Sequence, residues 1–165
     1  MKQVYIVRHA KSSWGDFSLP DFDRPLNDRG KHDAPLMAKR LLEKKVSIDA
    51  FICSPAKRAK KTCKLFCQEY HVKEEKIIYI EQLYLAPAET FYNVIADVDN
   101  RYDHIALFAH NPGVTDFANS LSKDVQIDEM PTCSIFAVRA DIKKWSEFRE
   151  AEKKFMFFDY PKRPV

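Results

Sequence analysis

The sequence predicts an α/β protein: a three-layer αβα sandwich around a mostly parallel central sheet. Three observations predict it. Short apolar runs of strand length alternate with segments of helical period. The most conspicuous polar residues fall just after those runs, where folds of this kind hold ligands. The 165 residues contain no repeat, linker or low-complexity stretch, which suits one domain, residues 1–165, with its own core.

Taken in order, "QVYIV" (3–7) reads as a strand and runs into Arg8-His9. Residues 11–27 carry Ser12, Ser13, Gly15, Pro20 and Pro25, and so read as a long loop. In "NDRGKHDAPLMAKRLLEKK", Ala34, Ala38, Leu41 and Leu42 keep helical period. Pro35 sits awkwardly in one continuous helix. The expectation is a first turn from Asn27, then a restart capped by Asp33 with Pro35 in the new first turn. "SIDAFICS" (47–54) is the second strand and 55–70 a helix, with Pro55 at its start, where a missing N–H does no harm. "KIIYI" (76–80) is a third strand, 87–98 a helix, "HIALFAH" (104–110) a buried strand, 113–122 a helix and "CSIFAVRA" (133–140) a last clear strand. Residues 141–160 admit either a helix followed by an edge strand through "KFMFF" or a hairpin.

Composition removes several classes. Apolar residues make up 45% of the chain, too many for disorder. No run is long enough to cross a bilayer and no signal peptide is recognisable, so a cytoplasmic location is expected and no membrane partner. The formal charge of +3 is spread among acids, which is no footprint for nucleic acid but helps attract an anion. There are four cysteines, and Cys63, Cys67 and His71 recur at helical spacing. A metal reading would need a fourth ligand. A core stripe of Ala59, Cys63, Phe66, Cys67 and Tyr70 is the simpler account.

The strand ends share one chemistry. Arg8 and His9 follow the first strand, Ser54 and Arg58 the second, Glu81 the third, and His110 with Asn111 the fourth. Two arginines and two histidines, some of them at helix N-termini, make an anion pocket. Each guanidinium can fork two N–H groups onto a tetrahedral oxyanion. Helix dipoles near Pro55 and Gly113 add to that field. A neutral imidazole there could attack phosphorus in line, while the arginines hold the charge on the equatorial oxygens. Fixed cations then leave no task for a metal or other cofactor.

At this point "VRHA", "SPAKRAKKT", "EQLY" and "AHNPG", in that order, resemble the histidine phosphatase (phosphoglycerate mutase-like) superfamily. "RPLNDRG" and the short length resemble its SixA-type phosphohistidine phosphatases. The resemblance implies that His9 is the phosphorylated nucleophile, with Arg8, Arg58 and His110 in the phosphate pocket. Glu81 aligns with the acid that protonates the leaving group in mutase-like members. The usual "RHG" is "RHA" here, so a small residue, Ala10, persists; Ala109 stands where a glycine often precedes the second histidine. Ser13 is a candidate phosphate ligand, and Arg24 could reach the same group. Asp16, Asp21 and Asp23 are rival acids. Thr62 needs no chemistry. Lys57, Lys60, Lys61 and Lys64 read as a solvated helix face, with docking as the alternative.

Rival phosphate chemistries fit less well. Cys53 to Arg58 is one residue short of a C-x5-R loop, and "DFDRP" (21–25) lacks a preceding strand. Only three glycines occur, so no glycine-rich cradle or P-loop exists. The expected function is a metal-independent phosphatase acting on phosphohistidine in proteins. The alternatives are hydrolysis of small phosphate esters and a catalytically silent phosphate-binding module. Residues alone give no oligomeric state.

Overall fold

The computed structural model describes residues 1–164. Strands β1 (Lys2–Arg8), β2 (Ala50–Cys53), β3 (Ile78–Tyr79), β4 (His104–Ala109), β5 (Ile135–Ala140) and β6 (Lys154–Asp159) form one sheet in the order β3-β2-β4-β1-β5-β6. The first four are parallel. β5 runs antiparallel to β1, and β6 antiparallel to β5.

Period-two alternation divides the strand residues between two cores. Val4, Ile6, Ile105, Leu107, Phe136 and Val138 pack on one face, against helices α3 (Ala88–Ala96) and α4 (Gly113–Leu121). Tyr5, Val7, Ala106, Phe108, Ile135 and Ala137 pack on the other, against α1 (Asp28–Glu43) and α2 (Lys57–Glu69). These are the three layers. Ala59, Cys63, Phe66 and Cys67 form the buried stripe of α2. Fully burying a side chain such as Phe66 contributes about 2–3 kcal/mol.

One expectation changes here, and one open alternative is decided. α1 is continuous rather than restarted at Asp33. Asn27 caps it, accepting from the Gly30 N–H at 2.9 Å, and Pro35 sits inside the helix. Asp33 is buried and accepts from Arg29 Nε at 3.3 Å instead of capping. The apolar face of Ala34, Met37, Ala38 and Leu41 docks as one surface. Packing therefore overrides the hydrogen bond that proline lacks. The C-terminal ambiguity resolves to a short 3-10 turn at Trp145–Glu147 followed by the edge strand β6. Trp145 is fully buried and donates from Nε1 to the Tyr102 carbonyl at 2.8 Å. No described helix is long and apolar enough to cross a membrane.

Candidate active site

β1, β2 and β4 are adjacent and parallel, so their carboxyl ends deliver Arg8-His9, Ser54 and His110 to one edge of the sheet. α2 opens just beyond Ser54 and brings Arg58. Arg8, His9, Arg58 and His110 line a single cavity of about 240 Å³. The two imidazole centroids are 5.2 Å apart.

His9 is held by backbone. Its N–H donates to the Ala109 carbonyl at 3.0 Å. Its Nδ1 lies 2.7 Å from the Ala10 carbonyl, an acceptor only, so Nδ1 carries the proton. Nε2 then keeps its lone pair, and Arg58 Nε points at it from 3.4 Å. Burial pushes the His9 pKa down to about 3; the Ala10 hydrogen bond opposes this, and the charges of Arg58, Arg8 and Arg24 add to it. The ring is neutral at pH 7. Thr62 ties this turn to α2, accepting from the Ala10 N–H at 3.0 Å and donating to the Arg58 carbonyl at 2.8 Å.

His110 is also driven down to about 3, by burial first and then by His9 and Arg58. Its Nε2 meets Ser54 Oγ at 2.7 Å, and its Nδ1 is buried with no partner among the described residues. Ser54 Oγ also receives the Ala56 N–H at 3.3 Å. With the hydroxyl proton turned toward Nε2, the His110 proton sits on Nδ1, where it can be donated to an oxyanion. Arg8 Nη1 donates to the Met130 carbonyl at 2.7 Å, and its Nε is likewise buried without a partner. Burial lowers the Arg8 pKa and Glu129 opposes this.

The loops contribute residues that strand-end reasoning ranked low. Asp21 reaches in from the long loop. Arg58 donates from Nη1 to its carbonyl at 2.7 Å and from Nη2 to its carboxylate at 3.0 Å. Tyr84 donates to the same carboxylate at 2.5 Å, and Arg24 Nε does so at 3.2 Å. Burial pushes the Asp21 carboxyl up, but hydrogen bonds from Tyr84 and Arg58, the Arg58 charge and the Arg24 bond outweigh it, bringing it to about 2. Asp21 is therefore an anion that clamps Arg58, not a proton donor. Arg24 also lines the cavity; it stacks on Trp14 at 3.6 Å and donates to Ser12 Oγ at 2.8 Å.

Glu81 and Ser13 lie outside the cavity lining. Glu81 is exposed at the start of a 3-10 turn after β3, and β3 is the edge strand farthest from β1 on that side of the sheet. The Ser13 hydroxyl accepts from the Gly15 N–H at 3.0 Å, and its carbonyl accepts from Arg24 at 3.3 Å. The cysteine stripe is core: Cys63 is buried, and burial pushes its thiol well above the ordinary range. Among the described residues, no group of three or more His, Cys, Asp or Glu is arranged to hold a metal ion.

The three-layer α/β fold thus gathers two histidines and three arginines around one cavity, an arrangement suited to an oxyanion. Residues 4–83 match the family model of the histidine phosphatase superfamily, branch 1. That match covers just under half of the chain and relates residues 4–83 to that superfamily, which supports phosphatase activity. An uncharacterized chloroplastic protein of Arabidopsis thaliana is 29% identical over 154 residues, 88% of this chain and 70% of that protein. An uncharacterized protein of Mycobacterium tuberculosis is 32% identical over 106 residues, 64% of this chain and 63% of that one. A structure from Agrobacterium tumefaciens assigned as phosphohistidine phosphatase SixA aligns with TM-score 0.80 at 23% identity, covering 97% of this chain and 99% of that chain. The protein histidine phosphatase SixA complexed with tungstate aligns with TM-score 0.81 at 21% identity, covering 96% and 97%. At these identities the structural likeness establishes the fold.

Proposed function

We propose that this protein is a metal-independent phosphatase that hydrolyses phosphohistidine in proteins through a phosphohistidine at His9. The observation that carries this reading is the pair of contacts on the His9 ring, which fix its tautomer. Nδ1 is tied to the Ala10 carbonyl, and Nε2 is left as a neutral nucleophile facing Arg58. Nε2 attacks phosphorus in line, and the bond to the leaving nitrogen breaks as the new N–P bond forms. Arg8, Arg58, Arg24 and the His110 Nδ1–H hold the three equatorial oxygens. Water then attacks the phosphoenzyme, releasing phosphate and returning the electron pair to Nε2. A fold shared with a SixA that binds tungstate, itself a tetrahedral oxyanion, supports the same use of the pocket.

The choice of substrate follows from the acids. Asp21 is the carboxylate that lines the cavity, and it is ionised down to about pH 2. An alkoxide leaving group needs a proton donor, whereas a departing imidazole needs far less help. The site therefore suits a phosphoramidate better than an alkyl phosphate ester. The test is turnover of a phosphohistidine peptide and of a chromogenic phosphomonoester, both with chelator present, by wild type and His9→Ala. The expected result is hydrolysis by wild type alone, with an acid-labile, alkali-stable phosphate label on the protein. Activity in His9→Ala, or activity abolished by chelator, refutes the mechanism.

A further inference from the structure

Beside the phosphate cavity, across the 3-10 turn Asp21–Asp23, lies a groove of about 590 Å³. Five lysines line it: Lys31 from α1, and Lys57, Lys60, Lys61 and Lys64 from α2. Asp23 is the one carboxylate among its lining residues. Lys64 has a distant partner, Glu74 at 3.7 Å, and Lys60 sits over the Tyr79 ring at 5.1 Å. Lys31, Lys57 and Lys61 form no ion pair among the described residues. On a chain of net charge only +3, this is a local concentration and not a general surface property.

We infer that this groove is a docking site for an acidic segment adjoining the phosphorylated residue of the protein substrate. The inference rests on reading that substrate as a phosphorylated protein. Position argues for it first. Asp21 lines the phosphate cavity while Phe22 and Asp23, the next two residues, line the groove. Lys57 adjoins Arg58 in the same helix turn. A chain whose phosphorylated side chain reaches His9 runs its neighbours over that turn into the lysines. Dimensions agree. Lys57 to Lys64 spans about 10 Å of helix, the reach of about three extended residues. The walls argue for a peptide rather than an inorganic polyanion. Phe22 is 38% exposed and set edge-on to Tyr84 at 5.1 Å, and Pro25 and Pro55 continue this apolar wall. A polyphosphate gains nothing from such a wall, whereas peptide methylenes and rings do.

The probes are two synthetic peptides with one phosphohistidine each, flanked by four glutamates or by four glutamines. A chromogenic phosphomonoester reports the basal chemistry, and inorganic tripolyphosphate serves as competitor. The variants are Lys57→Glu/Lys61→Glu and, as a control of equal charge change, Lys143→Glu/Lys154→Glu. These control lysines lie at the opposite end of the sheet. For wild type, kcat/KM on the acidic peptide is expected to exceed that on the neutral one by about tenfold at low salt, as several weak exposed pairs would give. Rising ionic strength should erase the difference. The groove variant should lose the preference and keep its rate on the chromogenic ester; the control variant should keep both. Equal rates on the two peptides overturn the docking site while leaving the phosphohistidine reading intact. Turnover of the ester but of neither peptide overturns both. Tripolyphosphate inhibition that disappears in the groove variant, with no peptide preference, reassigns the groove to a small polyanion and overturns the inference.

Discussion

Acidification from pH 7 to pH 5 is expected to destabilise this fold through two particular rings. His9 and His110 are both held at about 3 in the folded chain, mainly by burial. In the unfolded chain each titrates near the ordinary value of about 6.5. A depressed folded pKa means that the native state refuses protons which the unfolded state accepts. The stability contributed by the neutral rings is therefore complete above about 6.5 and lost progressively toward 3. Between pH 7 and pH 5 the cost depends on the unfolded value alone and comes to about 2 kcal/mol per ring, about 4 kcal/mol for both. Asp21, at about 2 when folded, does not titrate in this window. The assay is urea unfolding at both pH values for wild type, His9→Gln and His110→Gln, with stability taken by linear extrapolation. Background titrations cancel in the comparison, so each variant should lose about 2 kcal/mol less than wild type. Variants that lose as much stability as wild type would show that the two rings are not held neutral, and the nucleophile argument would fall with them.

Asp21→Asn should lower kcat by about tenfold, because Arg58 loses a charged acceptor, while tightening inhibition by inorganic phosphate, because an anion has left the cavity. An unchanged kcat with weaker phosphate inhibition would contradict the clamp. Thr62→Val leaves the buried Ala10 N–H without its acceptor and should cost about 1–3 kcal/mol in chemical unfolding, with activity falling as the His9 turn loosens. Gly30→Ala places a Cβ 2.2 Å from the Lys11 carbonyl oxygen, a backbone atom with little room to yield. A loss of about 1–3 kcal/mol is expected, visible as a lowered Tm, together with reduced kcat/KM, since Lys11 lies two residues beyond His9.

Much of the central sheet is legible because its residues are buried on both faces. Val4–Val7 and Ile105–Ala109 read as continuous apolar runs, and the residues that break them, Arg8-His9 and His110, mark the site. The third strand is where this logic fails. The run Lys76–Ile80 suggests a full strand followed by Glu81, but only Ile78 and Tyr79 pair, and they do so at the sheet edge. Strand order is a long-range property that local pattern does not carry, so alignment of Glu81 with the other strand ends says nothing of its distance from His9. Asp21 and Arg24 were equally hard to rank from sequence, for a different reason. Their places depend on the path of the long loop, which is set by bonds to Arg58, Tyr84 and Ser12 from other parts of the chain. Only their charge, in a loop beside a phosphate-seeking motif, could have singled them out.

The electrostatics of the cavity serve two demands that conflict in a simpler site. On the proposed mechanism a dianion must be attracted, which calls for positive charge, and His9 must keep a lone pair, which forbids charge on its ring. The protein separates the two. The positive charge is carried by Arg8, Arg24 and Arg58, and the charges of Arg58 and Arg24 help hold both imidazoles neutral. An arriving phosphate reverses part of that field. An anion within a few ångströms favours a ring N–H that points at it, and the His110 Nδ1–H is buried with no partner among the described residues. His9 is constrained differently: its Nδ1 proton is already committed to the Ala10 carbonyl, and its Nε2 faces a guanidinium. The same ligand is thus expected to accept the hydrogen bond of the His110 Nδ1–H while His9 keeps the electron pair that the proposed attack needs. Two histidines in one pocket acquire different roles because of what their second nitrogens touch.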